Sequence, residues 1–83
     1  NGVFFTVELK YTKTNKVTFS PHQIAFHVKH PHNTFILVFD ARSMMPKLYE
    51  GERIRELAAW GLELEACRLG LEACGLLFEE LGA

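Results

Sequence analysis

Apolar residues in the first half of the chain form two extended runs separated by a short helical segment. Residues 3–10 are rich in apolar and β-branched side chains, which predicts a strand. Residues 34–40 are almost continuously apolar, which is typical of a central strand covered on both faces and calls for helices packed over a mixed sheet. Residues 46–50 predict a further, shorter strand nearer an edge. The pattern therefore predicts an α/β fold with a small mixed sheet flanked by helices.

The segment between the first two strands carries helix-start and helix-stop signals. Ser20 is a favoured N-cap residue, and Pro21 suits the first helical position, where its missing N–H costs nothing. The helix is predicted over residues 21–29, because Pro31 disfavours helical geometry in the residue before it. Residues 11–16 precede this helix as a polar, basic loop.

The C-terminal part is predicted to be helical from Glu52 onward, with Gly61 as a break between two helices. Its apolar residues recur at alternating spacings of three and four, the spacing of a helical seam. These residues are Leu57, Trp60, Leu64, Cys67, Leu71, Cys74, Phe78 and Leu81. We expect the seam to pack on the protein's own sheet, since Gly61, Gly70 and Gly75 each weaken an isolated helix by roughly 1 kcal/mol. Burial of residues 52–83 in an interface with a second copy is the alternative.

Length and composition indicate one small globular domain over residues 1–83. The chain has 83 residues, 48% hydrophobic and 23% charged. No apolar run approaches the roughly 18 residues of a membrane span, so we expect no membrane partner. Cys67 and Cys74 would lie about 10 Å apart along the predicted helix, too far for a disulfide. No histidine stands near them at the spacing of a zinc ligand.

Positive charge is concentrated in the N-terminal half. Residues 1–39 carry four lysines against one glutamate, a balance of +3, whereas residues 40–83 carry five basic and nine acidic side chains, a balance of −4. A polyanionic partner would therefore bind the N-terminal half. The loop side chains suited to sequence-independent contacts with a DNA backbone are Tyr11, Lys13, Asn15 and Lys16. A solvated loop explains the same lysines equally well.

The first strand ends with an acid and an amine on one face. Side chains alternate along a strand, so Glu8 and Lys10 point the same way. Taken alone, this pair is explained by the solvated face of an edge strand. The next helix, however, carries Gln23 in its first turn, where it can reach the strand that precedes it.

This order of elements resembles the PD-(D/E)XK nuclease superfamily, in particular the small phage and bacterial enzymes similar to Holliday-junction resolvases and VRR-type nucleases. The resemblance rests on Val-Glu-Leu-Lys at 7–10, the basic loop, the helix opening Ser-Pro-His-Gln-Ile at 20–24, and the buried strand that follows. It extends over residues 3–62. It implies a restriction-endonuclease-like core that is abbreviated at its N-terminus, and a cytoplasmic protein, in the host cell if the gene is of phage origin.

The resemblance implies metal-dependent endonucleolytic hydrolysis of DNA phosphodiester bonds. The Glu8 carboxylate and the Leu9 carbonyl are oxygen ligands of the kind that Mg²⁺ prefers, with Mn²⁺ as the alternative ion. Lys10 is expected to orient or activate the attacking water and to stabilise developing charge. Gln23 is expected to hydrogen-bond Lys10 or the water. Ser20 and His22, at the helix N-terminus, are further expected DNA contacts.

The family pattern also places an aspartate on a strand before Glu-x-Lys, and none of the seven residues before Glu8 is acidic. Three explanations stay open. The acid comes from a missing N-terminal part or a partner chain, Asp40 has replaced it from the end of the neighbouring strand, or the site is degenerate. Asp40, followed closely by Arg42, is also explained as a capped strand end.

Because the aspartate of the family pattern is missing, two other classes of function are also considered. The first is a catalytically inactive nuclease-fold module with a structural or assembly role, and the second is a DNA-binding module without catalysis. As partners we expect DNA and either further copies in a homo-oligomer or a second chain that supplies the acid.

Histidines accompany Gln23 along one side of the predicted helix. His22, His27 and His30 are interpreted as a solvated face, opposite the apolar Ile24. A transition-metal pair formed by His27 and His30 is the alternative, for which the sequence offers no third ligand.

Overall fold

The computed structural model describes residues 5–70, 72, 75–76 and 79 of the chain. Four strands and two α-helices follow one another along these residues. They are β1 (Thr6–Thr12), α1 (Pro21–Lys29), β2 (Thr34–Asp40), β3 (Met45–Glu50), a 3₁₀ turn (Gly51–Arg53), α2 (Ile54–Trp60), a second 3₁₀ turn (Gly61–Glu63) and β4 (Arg68–Leu69).

The strands form one mixed sheet in the order β1-β2-β3-β4. β1 and β2 are parallel, with α1 as the crossover between them, whereas β2 with β3 and β3 with β4 are antiparallel. The predicted α/β class with a mixed sheet and helices is therefore confirmed. The prediction that β3 lies near an edge is confirmed among the described strands, where the two-residue β4 is the one strand outside it.

Helix α1 has the predicted limits because its ends are specified locally. The Ser20 hydroxyl accepts a hydrogen bond from the Gln23 backbone N–H at 3.2 Å, and the Gln23 side-chain oxygen accepts one from the Ser20 N–H at 2.9 Å. This reciprocal capping box satisfies donors that the first turn leaves unpaired. The helix ends before Pro31, with the His30 N–H bonded to the Phe26 carbonyl at 2.9 Å.

The main core lies between the sheet and both helices. Ile36, Val38 and Tyr49 from the sheet are buried against Ile54 and Leu57 of α2. Burying an aliphatic side chain of this size contributes about 1.5–3 kcal/mol. A second, smaller cluster centred on Phe35 and Leu48 lies on the opposite face of the sheet.

That opposite face is only partly covered, which differs from the prediction that β2 is enclosed on both faces. Phe35 is buried there, but Leu37 and Phe39 are half-buried. Beside them on β1, Leu9 and Tyr11 are 73% and 62% exposed. The helices cover the face that carries Ile36, so the two faces of β2 have different environments.

The predicted break at Gly61 is confirmed, but the prediction of a second helix after it is wrong for residues 64–69. Gly61 ends α2 with φ 63° and ψ −146°, a conformation that a helix cannot continue. The chain then runs extended, with the Cys67 N–H donating to the Leu48 carbonyl at 2.8 Å and β4 pairing with β3. Leu64 packs against the main core and Cys67 against the cluster of Phe35 and Leu48, so the two side chains lie on opposite faces of the sheet instead of along one helical seam.

Several predicted features lie outside the described residues. These are the strand start at Val3 and Phe4 and the seam positions Leu71, Cys74, Phe78 and Leu81. Cys67, predicted to lie on a helix, is half-buried in the extended segment before β4. No helix in the described part of the chain is long and apolar enough to cross a membrane.

Candidate functional site

Glu8 and Lys10 lie side by side on the face of β1 that is covered by α1. Their side chains are 21% and 22% exposed, and the Lys10 Nζ lies 3.6 Å from the Glu8 Oε2. Glu8 stands in register with Ile36 of β2, whose side chain is fully buried under the helices. The predicted shared face is thus confirmed, and both side chains are largely shielded from solvent.

Gln23 links this pair to the start of α1. Its Oε1 accepts a hydrogen bond from the Lys10 Nζ at 3.0 Å and from the Ser20 backbone N–H at 2.9 Å. The ammonium also lies 4.9 Å from the centroid of the Phe19 ring, a cation–π contact. The predicted contact between Gln23 and Lys10 is therefore present, and one oxygen both caps the helix and holds the lysine.

His27 corrects the interpretation of the helix as carrying three solvated histidines. His22 and His30 are exposed, but His27 is only 1% exposed and places its Nε2 3.1 Å from the Glu8 Oε1. A carboxylate oxygen only accepts, so Nε2 donates. His27 lies one helical turn after Gln23, and residues four apart share a helix face. That spacing is the sequence signal by which His27 could have been assigned to the site.

Two buried atoms of this cluster lack hydrogen-bond partners within the described residues. They are the Glu8 Oε2 and the His27 Nδ1. The Glu8 Oε1 is bound by His27, so Oε2 is the carboxylate oxygen that remains to bind another group. An uncompensated carboxylate in such a position would be costly, and the adjacent Lys10 supplies the opposite charge.

Asp40 is not brought to Glu8. It stands in register with Thr12, four residues beyond Glu8 and so about 13 Å further along the sheet. Its carboxylate accepts hydrogen bonds from the Arg42 N–H at 3.0 Å and the Lys47 Nζ at 3.2 Å. Asp40 therefore closes the end of β2, as the capped-strand interpretation predicted, and the two acids are too far apart to bind one metal ion together.

The environment of Asp40 gives a pH-dependent prediction. Burial raises the pKa of its carboxyl, but hydrogen bonds from Arg42, Lys47 and Ser43 outweigh this effect and lower the pKa from 3.8 to about 2. A group with a lowered folded-state pKa stabilises the protein above its unfolded-state pKa. We expect the free energy of unfolding to decrease as the pH falls from about 4 to about 2.

Urea unfolding of the wild type and of Asp40→Asn at several pH values measures this contribution. The variant should be less stable at neutral pH and should lose less stability between about pH 4 and pH 2. If the free energy of unfolding changed with pH by the same amount in both proteins, the predicted contribution of Asp40 would be contradicted.

The predicted DNA-contacting residues are divided between different surfaces. Lys13, Lys16, Ser20 and His22 are exposed. Tyr11 is exposed on the other face of the sheet, where it stacks on Phe39 with ring centroids 6.0 Å apart.

Asn15 is held by the C-terminal part of the chain. Its side-chain amide donates to the Trp60 carbonyl at 3.4 Å and to the Glu63 Oε2 at 3.3 Å. Its backbone carbonyl accepts from the Leu62 N–H at 2.8 Å. Asn15 therefore anchors the basic loop, with its side chain already engaged within the protein.

No cluster of three or more His, Cys, Asp or Glu side chains in the described residues has a metal-binding arrangement. A single carboxylate nevertheless fits Mg²⁺, which usually keeps several waters and binds one or two carboxylates together with substrate phosphates. The Glu8 Oε2, buried and without a hydrogen-bond partner in the described residues, is the oxygen that fits this role. The Leu9 carbonyl is the second candidate ligand.

Comparisons with protein-family models, with curated proteins and with solved structures gave no match. The described residues that converge beside β1 are Glu8, Lys10, Gln23 and His27.

Proposed function

We propose that this chain is a metal-dependent endonuclease that hydrolyses DNA phosphodiester bonds, built on an N-terminally abbreviated restriction-endonuclease-like core. The observation that carries the proposal is the convergence of Glu8, Lys10 and Gln23, with the lysine held at 3.0 Å by the glutamine. These are the residues for which the resemblance to PD-(D/E)XK nucleases implies a catalytic role. A parallel β1-α1-β2 unit, whose helix packs over the acid and the amine, further supports it.

Lys10 is the residue best placed to act on the scissile phosphate. Its ammonium contacts Gln23, Glu8 and the Phe19 ring, so little reorganisation is required when charge develops on a phosphate oxygen. It stabilises that charge and orients the attacking water. Mg²⁺ or Mn²⁺ bound through Glu8 and the Leu9 carbonyl would neutralise phosphate charge and lower the pKa of a bound water.

The exposed N-terminus of α1 and the adjoining loop are the proposed DNA surface. Ser20 and His22 stand at the helix start, where backbone N–H groups favour a phosphate. Lys13 and Lys16 are exposed on the loop before it, whereas Tyr11, on the other face of the sheet, lies outside this surface. Contacts of this kind are independent of base sequence and weaken as salt concentration rises.

The second carboxylate of the family pattern is proposed to come from another chain, either a further copy or a different protein. Asp40 stands four residues too far along the sheet to share a metal with Glu8. β1 pairs only with β2 among the strands that the structure describes, so its other edge has unpaired backbone groups that suit an added strand. We propose that this complex acts in the cytoplasm.

The alternative proposal is a catalytically inactive nuclease-fold module with a structural or assembly role. The observation that favours it is the enclosure of Glu8. Its Oε1 is bound to His27, and its Oε2 is buried beside Lys10. In this alternative the four side chains serve only to fasten α1 to β1.

Cleavage of supercoiled plasmid and of branched DNA, with Mg²⁺, Mn²⁺ or EDTA, distinguishes the two proposals. We expect cleavage with either metal and none with EDTA. Replacing Lys10 with methionine should lower the cleavage rate by roughly 100-fold, because it removes the charge that stabilises the transition state and keeps most of the side-chain volume.

Lys29→Met is the matched control, since Lys29 is exposed at the end of α1 and the substitution removes the same charge. It should leave the rate within about threefold of the wild type. Absence of cleavage under every metal condition, with a folded wild type, would favour the inactive module.

A further inference from the structure

Helix α1 contacts β1 through two polar side chains, Gln23 and His27, and the proposed mechanism uses only Gln23. Gln23 binds Lys10, and His27, one turn later, binds Glu8. His27 is 1% exposed, so its ring is removed from water and its hydrogen bond to the carboxylate lies in a low-dielectric environment.

The absence of a side chain at Gly51 leaves room for the His27 imidazole. A Cβ atom on Gly51 would lie 2.7 Å from the His27 Nδ1 and 2.9 Å from the Thr34 carbonyl oxygen. The Thr34 hydroxyl is itself fixed, donating to the His30 carbonyl at 2.7 Å. The ring therefore lies against Gly51 and Thr34 on its Nδ1 side, and this packing directs Nε2 toward Glu8.

The two oxygens of Glu8 consequently have different surroundings. Oε1 accepts the hydrogen bond from His27 at 3.1 Å, and Oε2 lies 3.6 Å from the Lys10 Nζ without a hydrogen-bond partner among the described residues. Without His27 the carboxylate could rotate and exchange its oxygens. With His27 in place, Oε2 is the single carboxylate oxygen left beside Lys10 to bind a further group.

We propose that His27 is a positioning residue that orients the Glu8 carboxylate so that Oε2 binds the divalent cation. This inference rests on the proposed function, since it assigns to Glu8 the role of metal ligand. Hydrogen-bonding partners of metal ligands typically change metal affinity by about 10- to 100-fold when they are removed. The role is distinct from catalysis, because His27 contacts the protein ligand and is shielded from substrate.

The test measures Mn²⁺ binding to the protein alone, by electron paramagnetic resonance of the free ion, for His27→Gln and His27→Asn. The glutamine amide can reach the Glu8 Oε1 as the imidazole Nε2 does, whereas the shorter asparagine cannot. We expect His27→Asn to weaken Mn²⁺ binding by about 10- to 100-fold and His27→Gln to retain most of the affinity. The Mg²⁺ concentration for half-maximal cleavage should rise in parallel, with a smaller change in the rate at saturating Mg²⁺.

His32→Gln is the control, since His32 is exposed and has no assigned role in the site. Thermal unfolding establishes that each variant is folded, and His27→Leu replaces His27→Asn if the latter does not fold. Equal Mn²⁺ affinity for the wild type and His27→Asn, or His27→Leu in its place, would overturn the positioning role of His27. If the wild type still cleaved DNA, the proposed function would stand. A wild type that neither binds Mn²⁺ nor cleaves DNA would overturn the proposed function and this inference with it.

Discussion

Replacement of Glu8 by glutamine is expected to lower the rate of metal-dependent DNA cleavage by roughly 1,000-fold or more. The amide keeps the size of the side chain and can still accept the hydrogen bond from His27. It loses the negative charge that attracts a divalent cation, and neutral amide oxygens bind Mg²⁺ more weakly than carboxylates. The expected loss is therefore in metal binding and rate, with little loss of folding stability.

The measurement is plasmid nicking over a range of Mg²⁺ concentrations, beside urea unfolding of the same preparations. Glu56→Gln is a matched control, because Glu56 lies on α2 in an exposed ion pair with Arg53 and its replacement changes the charge equally. Such surface pairs contribute at most about 1 kcal/mol. A Glu8→Gln protein that cleaves as fast as Glu56→Gln would remove Glu8 from the proposed mechanism.

Replacement of Gly61 by alanine is expected to lower the free energy of unfolding by about 3 kcal/mol or more. Gly61 has φ 63° and ψ −146°, a region that residues with a Cβ atom rarely adopt. An added Cβ would also clash with the backbone carbonyl of Asn15, and a backbone atom cannot move aside as a flexible side chain can. For a domain of this size a loss of that order lowers Tm by more than about 10 °C.

Thermal and urea unfolding of Gly61→Ala and Gly75→Ala measure this effect. A Cβ atom at Gly75 would have no neighbour within 4 Å, so the same chemical change there should alter the free energy of unfolding by less than about 1 kcal/mol. Equal stability of the two variants would contradict the importance of the turn at Gly61.

The turn at Gly61 also holds the basic loop, which forms part of the proposed DNA surface. It brings the Leu62 N–H to the Asn15 carbonyl, which ties the basic loop to the end of α2. Lys13 and Lys16 flank this anchored residue and are exposed.

The features that could be predicted from sequence are those specified by neighbouring residues. Ser20, Pro21 and Pro31 determine the ends of α1 through capping and restricted backbone angles, so the predicted limits agree with the structure. Alternation along a strand similarly placed Glu8 and Lys10 on one face. The contact between Gln23 and Lys10 was also predictable, once the helix start had been placed beside the strand.

Features that depend on distant residues were predicted less well. Leu64 and Cys67 match a helical repeat, but the backbone conformation of Gly61 and pairing with β3 make this segment extended. His27 was assigned to solvent because its neighbours His22 and His30 are polar, whereas packing against Gly51 and Thr34 buries it.

The sequence by itself therefore determined the α/β class, the limits of α1 and the acid and amine on one face of β1, because each follows from local backbone preferences and side-chain alternation. Only the tertiary structure decided that His27 binds Glu8 and that Asp40 lies apart from it. The reason is physical. Burial and strand register depend on contacts between residues far apart in the chain, and these contacts cannot be read from the pattern of neighbouring residues.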